Sequence, residues 1–278
     1  MTTTAKRRWF GNTVSYLLLF LTVAFFLLPL IWLIGTAFKP RLLSFSVPPT
    51  WFFQPVLDNF LTIFRQMPVL QYLRNSVVVA VGSTILAVVL GVPAGYGLAR
   101  HSGRTSNALA FALLVIRMVP PVAMLIPFYL LMRDFHLLGT YWSLILLDAV
   151  LNVSFVAWFM RGYYAGVPRD MEEAACCDGC TRFGAFARVS LPLALPGVVT
   201  IALFSFIASW NDFLFAMLLT GRNTRTLPLG ILESYRAYEV SWNLMAAVSL
   251  FAVVPVILLG FALQRYYVSG LTMGAVRE

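Results

Sequence analysis

Six stretches of this 278-residue chain are each apolar for about the length a bilayer requires: residues 14–38, 76–98, 108–131, 142–159, 198–220 and 243–264. A hydrocarbon core ~30 Å thick takes roughly 20 helical residues, and lipid offers no partner to an unpaired backbone N–H or C=O. Each stretch is therefore expected to close its hydrogen bonds internally as a helix. The predicted fold class is an all-α membrane protein with six transmembrane helices. Composition agrees: 60% of residues are hydrophobic and 11% charged, where a soluble domain carries about 25% charged residues. The first stretch exceeds the apolar core of a cleavable signal and no small-residue cleavage site follows it, so it reads as an anchor. Trp9, Trp51, Trp142 and Trp242 lie near predicted ends, as interfacial aromatics do.

The net charge of +9 comes from 20 Lys and Arg scattered between the apolar blocks. With no basic run of five or more and no recognisable nucleic-acid motif, nucleic-acid binding is excluded as a reading. The scatter fits a positive-inside bias. Placing the N-terminus inside puts eleven Lys and Arg on the cytoplasmic side and eight outside, with Arg117 inside a span. Both termini are then expected in the cytoplasm, giving an N-terminal tail over 1–13, a six-helix domain over 14–266 and a C-terminal tail over 267–278.

The same orientation puts residues 167–197 in the cytoplasm, as a polar island between two apolar stretches. Its punctuation predicts two short helices. Pro168 suits a first helical turn, and Asp170, Glu172 and Glu173 complement the positive end of a helix dipole. Ala174, Ala175 and Cys176 are small, suiting close approach by another surface. Asp178 and Gly179 then end the first helix, since glycine adopts the left-handed conformation readily. Thr181 is placed to cap a second helix, 182–189, with Phe183 and Phe186 on one face. Pro192 and Pro196 are expected to stop it before the fifth span. All three cysteines, Cys176, Cys177 and Cys180, fall in this island. They are expected to be reduced, packed helix residues; no second pair or nearby histidine completes a metal site.

The string Glu173-Ala174-Ala175, Asp178-Gly179, Leu191-Pro192 and Leu195-Pro196-Gly197 resembles the EAA loop of ABC importer permeases. Ser209-Trp210-Asn211-Asp212-Phe213 is similar to a Trp-Asn-Glu/Asp-Phe pattern of the carbohydrate-uptake permeases of the MalG type. Tyr267 to Thr272 with Gly274-Ala275-Val276 resembles their C-terminal tail. Where those relatives carry aliphatic or basic residues, this chain has Cys176 and Cys177. The resemblance implies a type I ABC importer permease fold, in which the loop over 167–197 is a cytoplasmic coupling helix that docks in a cleft of a separate ATPase subunit. Glu172, Glu173, Ala174, Ala175, Asp178 and Gly179 would make up the coupling site, and the tail from Leu271 to Glu278 would reach the ATPase interface. Implied partners are a second homologous permease, two ATPase subunits that bind ATP and Mg, an extracytoplasmic solute-binding protein and a carbohydrate substrate. The outer loop 221–241 is expected to meet the binding protein. The implied location is a bacterial or archaeal cell (inner) membrane.

The chain lacks G-x-x-x-x-G-K-[ST], so ATP hydrolysis is expected from partners, and no catalytic or cofactor-binding constellation is evident. Polar groups inside spans default to functional candidates. Arg117, Asn152, Trp210, Asn211 and Asp212 are the candidate substrate-path residues, with Trp158, Phe204 and Phe206 as aromatic faces. Asp148 is a candidate partner for Arg117. The alternative for all of them is hydrogen bonding between neighbouring helices. Other solutes, such as a polyol or a glycerol phosphate, are alternatives within this transport class. An ion-coupled secondary transporter would usually show internal repeats, which the two halves lack. A membrane-embedded enzyme would need clustered ligands or bases, which are missing.

Overall fold

The computed structural model describes residues 3–101, 103–237 and 241–272. The helices, in chain order, are α1 (Thr3–Ala37), α2 (Asp58–Gln66), α3 (Val69–Arg100), α4 (Arg104–Met118), α5 (Pro121–Asp134), α6 (Tyr141–Ala165), α7 (Asp170–Cys177), α8 (Arg182–Ala185), α9 (Leu191–Leu193), α10 (Leu195–Trp210), α11 (Leu214–Leu219), α12 (Leu227–Ala237) and α13 (Trp242–Thr272). A 3-10 turn occupies Arg41–Phe45 and a π-turn Phe186–Ser190. There is no strand among the described residues.

Among the described residues, four segments are long and apolar enough to cross a membrane: Asn12–Ala37, Val69–Arg100, Tyr141–Ala165 and Trp242–Gln264. The other two expected spans need correction. The third, expected as one helix over 108–131, is two helices meeting at 94°. The cause is Pro120-Pro121. Neither residue can donate to a helical ladder, and each drives its predecessor out of helical geometry. Val119 and Pro120 accordingly sit at ψ 125° and 129°, and Pro121 opens α5 instead.

The fifth expected span also breaks, because α10 ends at Trp210 and a turn separates it from α11. At its other end α10 is bent by 75° from the stretch Arg182–Leu193. Pro192 and Pro196, expected as stops, stand in the first turns of α9 and α10. Their fixed φ suits a helix start, where the missing N–H would have no helical partner anyway. They mark a bend, with only Ala194 between the two helices. The expected tails are also largely helical: α1 begins at Thr3 and α13 continues through Thr272, whereas Gly274, Ala275 and Val276 lie outside the described residues.

The chain divides into two compact units, residues 1–68 with 231–251, and 69–230 with 252–278. In the first unit, α1 leads into a segment built on Asn59. Its Nδ2 donates to the Ala37 and Lys39 carbonyls at 2.8 and 2.9 Å, and its Oδ1 accepts from Asn243 Nδ2 at 2.6 Å. Lys39 is buried, donating to the Thr50 carbonyl at 2.8 Å with the Trp32 and Phe53 rings about it.

The second unit is organised by α3 against α6. Without a hydrophobic force between helices in lipid, association depends on close packing of small residues. Gly91 and Gly95 supply it, four residues apart on α3. A Cβ at Gly91 would fall 2.7 Å from the Val156 side chain, and one at Gly95 would fall 2.7 Å from Met160 Cβ and 2.8 Å from the Ala157 carbonyl. Two buried clusters follow from this contact. Ala87, Val92, Val156, Met160, Tyr164, Phe186 and Ile201 join α3, α6, the polar island and α10. Val79, Met132, Leu144, Leu147, Phe215 and Leu219 join α3, α5, α6 and α11.

Candidate functional site

The polar island forms the two expected short helices. Three acidic residues, Asp170, Glu172 and Glu173, fall in the first turn of α7, where the dipole favours them. Gly179 ends the helix at φ +90°, with its N–H donating to the Cys176 carbonyl. Thr181 caps α8 as expected, its Oγ1 accepting from Gly184 N at 3.1 Å. Phe183 and Phe186 lie 6.1 Å apart, but Phe186 is buried in the core while Phe183 is 76% exposed. The second helix passes through a π-turn before α9, a departure from the regular helix expected over 182–189.

Adjacent helical residues point about 100° apart, and that angle separates the two expected coupling glutamates. Glu173 is exposed, with Ala174, Cys176, Cys177 and Asp178 beside it on the open face; Ala175 is half-buried. Glu172 is instead turned inward. Its carboxylate accepts from Arg100 Nη2 at 2.5 Å, Arg100 Nε at 2.8 Å, Tyr96 OH at 2.8 Å and Ser190 Oγ at 2.6 Å. Arg100 also donates from Nη1 to the Tyr164 carbonyl at 2.9 Å and from Nη2 to that of Val167 at 3.2 Å. The expectation that Glu172 is a docking residue is thereby corrected, since every lone pair it would offer a partner is engaged within the chain. The island and the end of α3 border an open groove of about 740 Å³, lined by Arg169, Glu173, Cys177 and Phe183 among others.

Burial opposes ionisation of Glu172, but the hydrogen bonds from Arg100, Ser190 and Tyr96 and the Arg100 charge outweigh it and hold its pKa below the ordinary value of 4.5. A group whose pKa is lower folded than unfolded adds stability above its unfolded pKa and loses it as pH falls through the folded value. The melting temperature is therefore expected to drop on acidification below about 4.5. Glu172→Gln should show a shallower acid limb in a thermal-melt series, and an identical limb would contradict this assignment.

The expected substrate-path residues are not gathered into one site. Arg117 and Asp148 do not pair. The Arg117 guanidinium lies over the Phe155 ring, 4.2 Å from its centre, whereas buried Asp148 accepts from Ser209 on α10. Asn152 is buried on α6. Trp210 is 2% exposed and donates to the Ala252 carbonyl of α13 at 3.0 Å, so it braces two helices and does not line an open path. Asp212 caps α11, accepting from Phe215 N at 3.3 Å and Ala216 N at 3.1 Å. Asn211 is exposed and donates back to the Ile207 carbonyl at 2.9 Å. The Trp-Asn-Asp triplet is thus a device for breaking and restarting a helix. The aromatic candidates divide likewise: Trp158 is 43% exposed, Phe206 stacks on Trp210 and Phe204 packs near Phe155.

Sequence reasoning passed over Arg100, Tyr96 and Ser190, and also the Gly91-x-x-x-Gly95 contact. The glycine spacing was a readable signal. The Arg100 cluster was not, because its members lie 72 and 76 residues from Glu172 along the chain.

Residues 87–272, which hold the α3–α6 contact, the polar island and the broken α10, match the family described as "Binding-protein-dependent transport system inner membrane component". The chain belongs to that family. A probable ABC transporter permease protein of Sinorhizobium fredii, y4oR, is 38% identical over 91% of this chain and 91% of its own length. The diacetylchitobiose uptake system permease protein DasC of Streptomyces coelicolor is 34% identical over 98% of this chain and 99% of its own. The sulfoquinovosyl glycerol transport system permease protein SmoH of Agrobacterium fabrum is 34% identical, covering 90% of this chain and 89% of its own. Among solved structures, a chain of a bacterial ABC transporter involved in import of the polysaccharide alginate superposes with a TM-score of 0.76 at 21% identity, over 96% of this chain and 99% of that one. The type I importer permease fold expected from the EAA-like loop is therefore the fold of this family member, a multi-pass membrane protein.

Proposed function

We propose that this chain is the membrane-spanning permease subunit of an ATP-driven importer whose substrate is a carbohydrate handed over by an external binding protein. The observation that carries the reading is the exposed face of α7. Glu173, Ala174, Cys176, Cys177 and Asp178 form a short helix surface left open, held at a set angle by the positive-φ Gly179. A rigid surface of small residues rimmed by acid is suited to seat in a cleft and carry a push. The carbohydrate assignment is supported by relatives named for uptake of diacetylchitobiose and for transport of sulfoquinovosyl glycerol and arabinooligosaccharides. In this reading both termini and the polar island face the cytoplasm. Two ATPase subunits bind ATP and Mg, a second homologous permease completes the pathway, and this chain holds no cofactor of its own. Arg117, Asn152 and Asn211 remain as candidate polar contacts for a sugar hydroxyl.

The test is uptake of a labelled oligosaccharide by the intact assembly in proteoliposomes. Glu173→Arg reverses the charge of the docking face at an exposed position, and should reduce ATP-dependent uptake by roughly tenfold or more, since charge reversal at a desolvated contact costs upward of 1.4 kcal/mol. Uptake driven by an ion gradient with no requirement for ATP would establish a secondary transporter and overturn the proposal.

A further inference from the structure

We propose that Arg100 and Glu172 form a positioning clasp that makes the coupling loop and the α3–α6 pair a single rigid body, so that force on α7 is delivered to the spans. This inference rests on the importer reading above. A single guanidinium holds the carbonyls of Tyr164 and Val167 at the end of α6 and the carboxylate of Glu172 on α7, from the last turn of α3. That carboxylate in turn holds Tyr96 on α3 and Ser190, which lies 18 residues further along the same loop. Both halves of the loop and both packed helices therefore meet at one ion pair.

The chemistry chosen is informative. A buried ion pair is a poor means of gaining stability, because desolvating both charges offsets most of their attraction, and apolar side chains of similar size serve as well or better. What the pair supplies is direction. A planar guanidinium with its donors in a fixed fork resists rotation and sliding in a way that apolar contact does not. The pair is 11% and 12% exposed, so solvent does little to loosen it. Gly95 brings the α3 and α6 backbones together about one and a half turns from Arg100, so a shift of the clasp cannot be absorbed by slack between the helices. Glu172 is thus a positioning residue, and the adjacent Glu173 is left for the partner.

The experiment compares solute taken up per ATP hydrolysed in the intact assembly, for the parent and for Glu172→Gln and Arg100→Lys. Hydrolysis should stay within about twofold while uptake per ATP falls roughly tenfold, the scale expected for residues along a coupling path. A purely structural role would lower both activities together. A second readout avoids activity altogether. With Cys176→Ser and Cys180→Ser, spin labels on Cys177 and on Ile85→Cys in α3 report the loop-to-span distance in nanodiscs. The parent should give one narrow distribution with or without nucleotide, and either clasp variant a broad one. Arg100→Lys keeps the positive charge and serves as the test if Glu172→Gln fails to assemble. Unchanged uptake per ATP, or a distribution as narrow as the parent's, would overturn the clasp. If Glu173→Arg abolishes uptake while the clasp variants stay fully coupled, the clasp alone is wrong. If Glu173→Arg has no effect, the importer reading fails, and the label distances still decide whether the clasp holds the loop.

Discussion

Leucine at Gly95 is expected to abolish the α3–α6 contact and, with it, most of the folded protein. The added Cβ alone would lie 2.7 Å from Met160 Cβ and 2.8 Å from the Ala157 carbonyl. Neither obstacle is the free end of a flexible side chain, so relief requires the helices to separate. Inserting methylenes into a packed interior costs about 1–3 kcal/mol when neighbours can adjust. Here four side-chain carbons must enter a backbone-to-backbone contact, so the expected loss is at or above the top of that range. Gly97, two residues along the same helix, has nothing within 4 Å of its would-be Cβ. Gly97→Leu is thus the matched control, identical in composition and in helix propensity. Fluorescence-detected size exclusion after graded heating is the measurement: Gly95→Leu should lose its monodisperse peak well below the parent's temperature, and Gly97→Leu should track the parent. Equal behaviour of the two variants would show that α3 and α6 are not held by this contact.

Valine at Gly179 is the second large effect expected, and it should appear in transport before it appears in stability. Gly179 has φ +90° and open space around it, so a side chain meets no clash and the penalty is in the backbone alone. A β-branched residue held in the left-handed region costs on the order of 1–3 kcal/mol, and the turn escapes by changing φ. That re-aims α7 relative to α8 without disturbing the buried clusters. ATP-dependent uptake should fall by about tenfold or more, with the melting temperature moved by only a few degrees, the scale of a 1–2 kcal/mol change. Gly179→Asn tolerates the left-handed conformation and should recover a large part of the activity. Full uptake in Gly179→Val would show that the angle between the two short helices is immaterial.

Why some features were legible and others not can be read from particular residues. The anchor, the long α3, α6 and α13, and the start, joint and cap of the polar island all rest on local rules. Lipid forces apolar runs into helices, acids gather at a helix start, Gly179 takes a positive φ, and Thr181 caps α8. The misreadings share a different cause. Pro120-Pro121 and Pro192/Pro196 were visible in the sequence, yet whether a proline stops, bends or opens a helix depends on what receives the chain afterwards. Asp212 was read as a pathway acid and is a cap, because a capping role requires knowing that α10 ends two residues earlier.

What the sequence determined by itself was the class of fold, the family loop and the punctuation of its helices, all of which depend on neighbours a few residues apart. What only the tertiary structure decided was direction: which of two adjacent glutamates faces inward, that Arg100 pairs with an acid while Arg117 lies over Phe155, and that Trp210 braces α13. The physical reason is that a helix presents its residues every 100° or so around its axis. Which of those faces meets protein is settled by packing between segments that lie tens of residues apart, as Arg100 and Glu172 do.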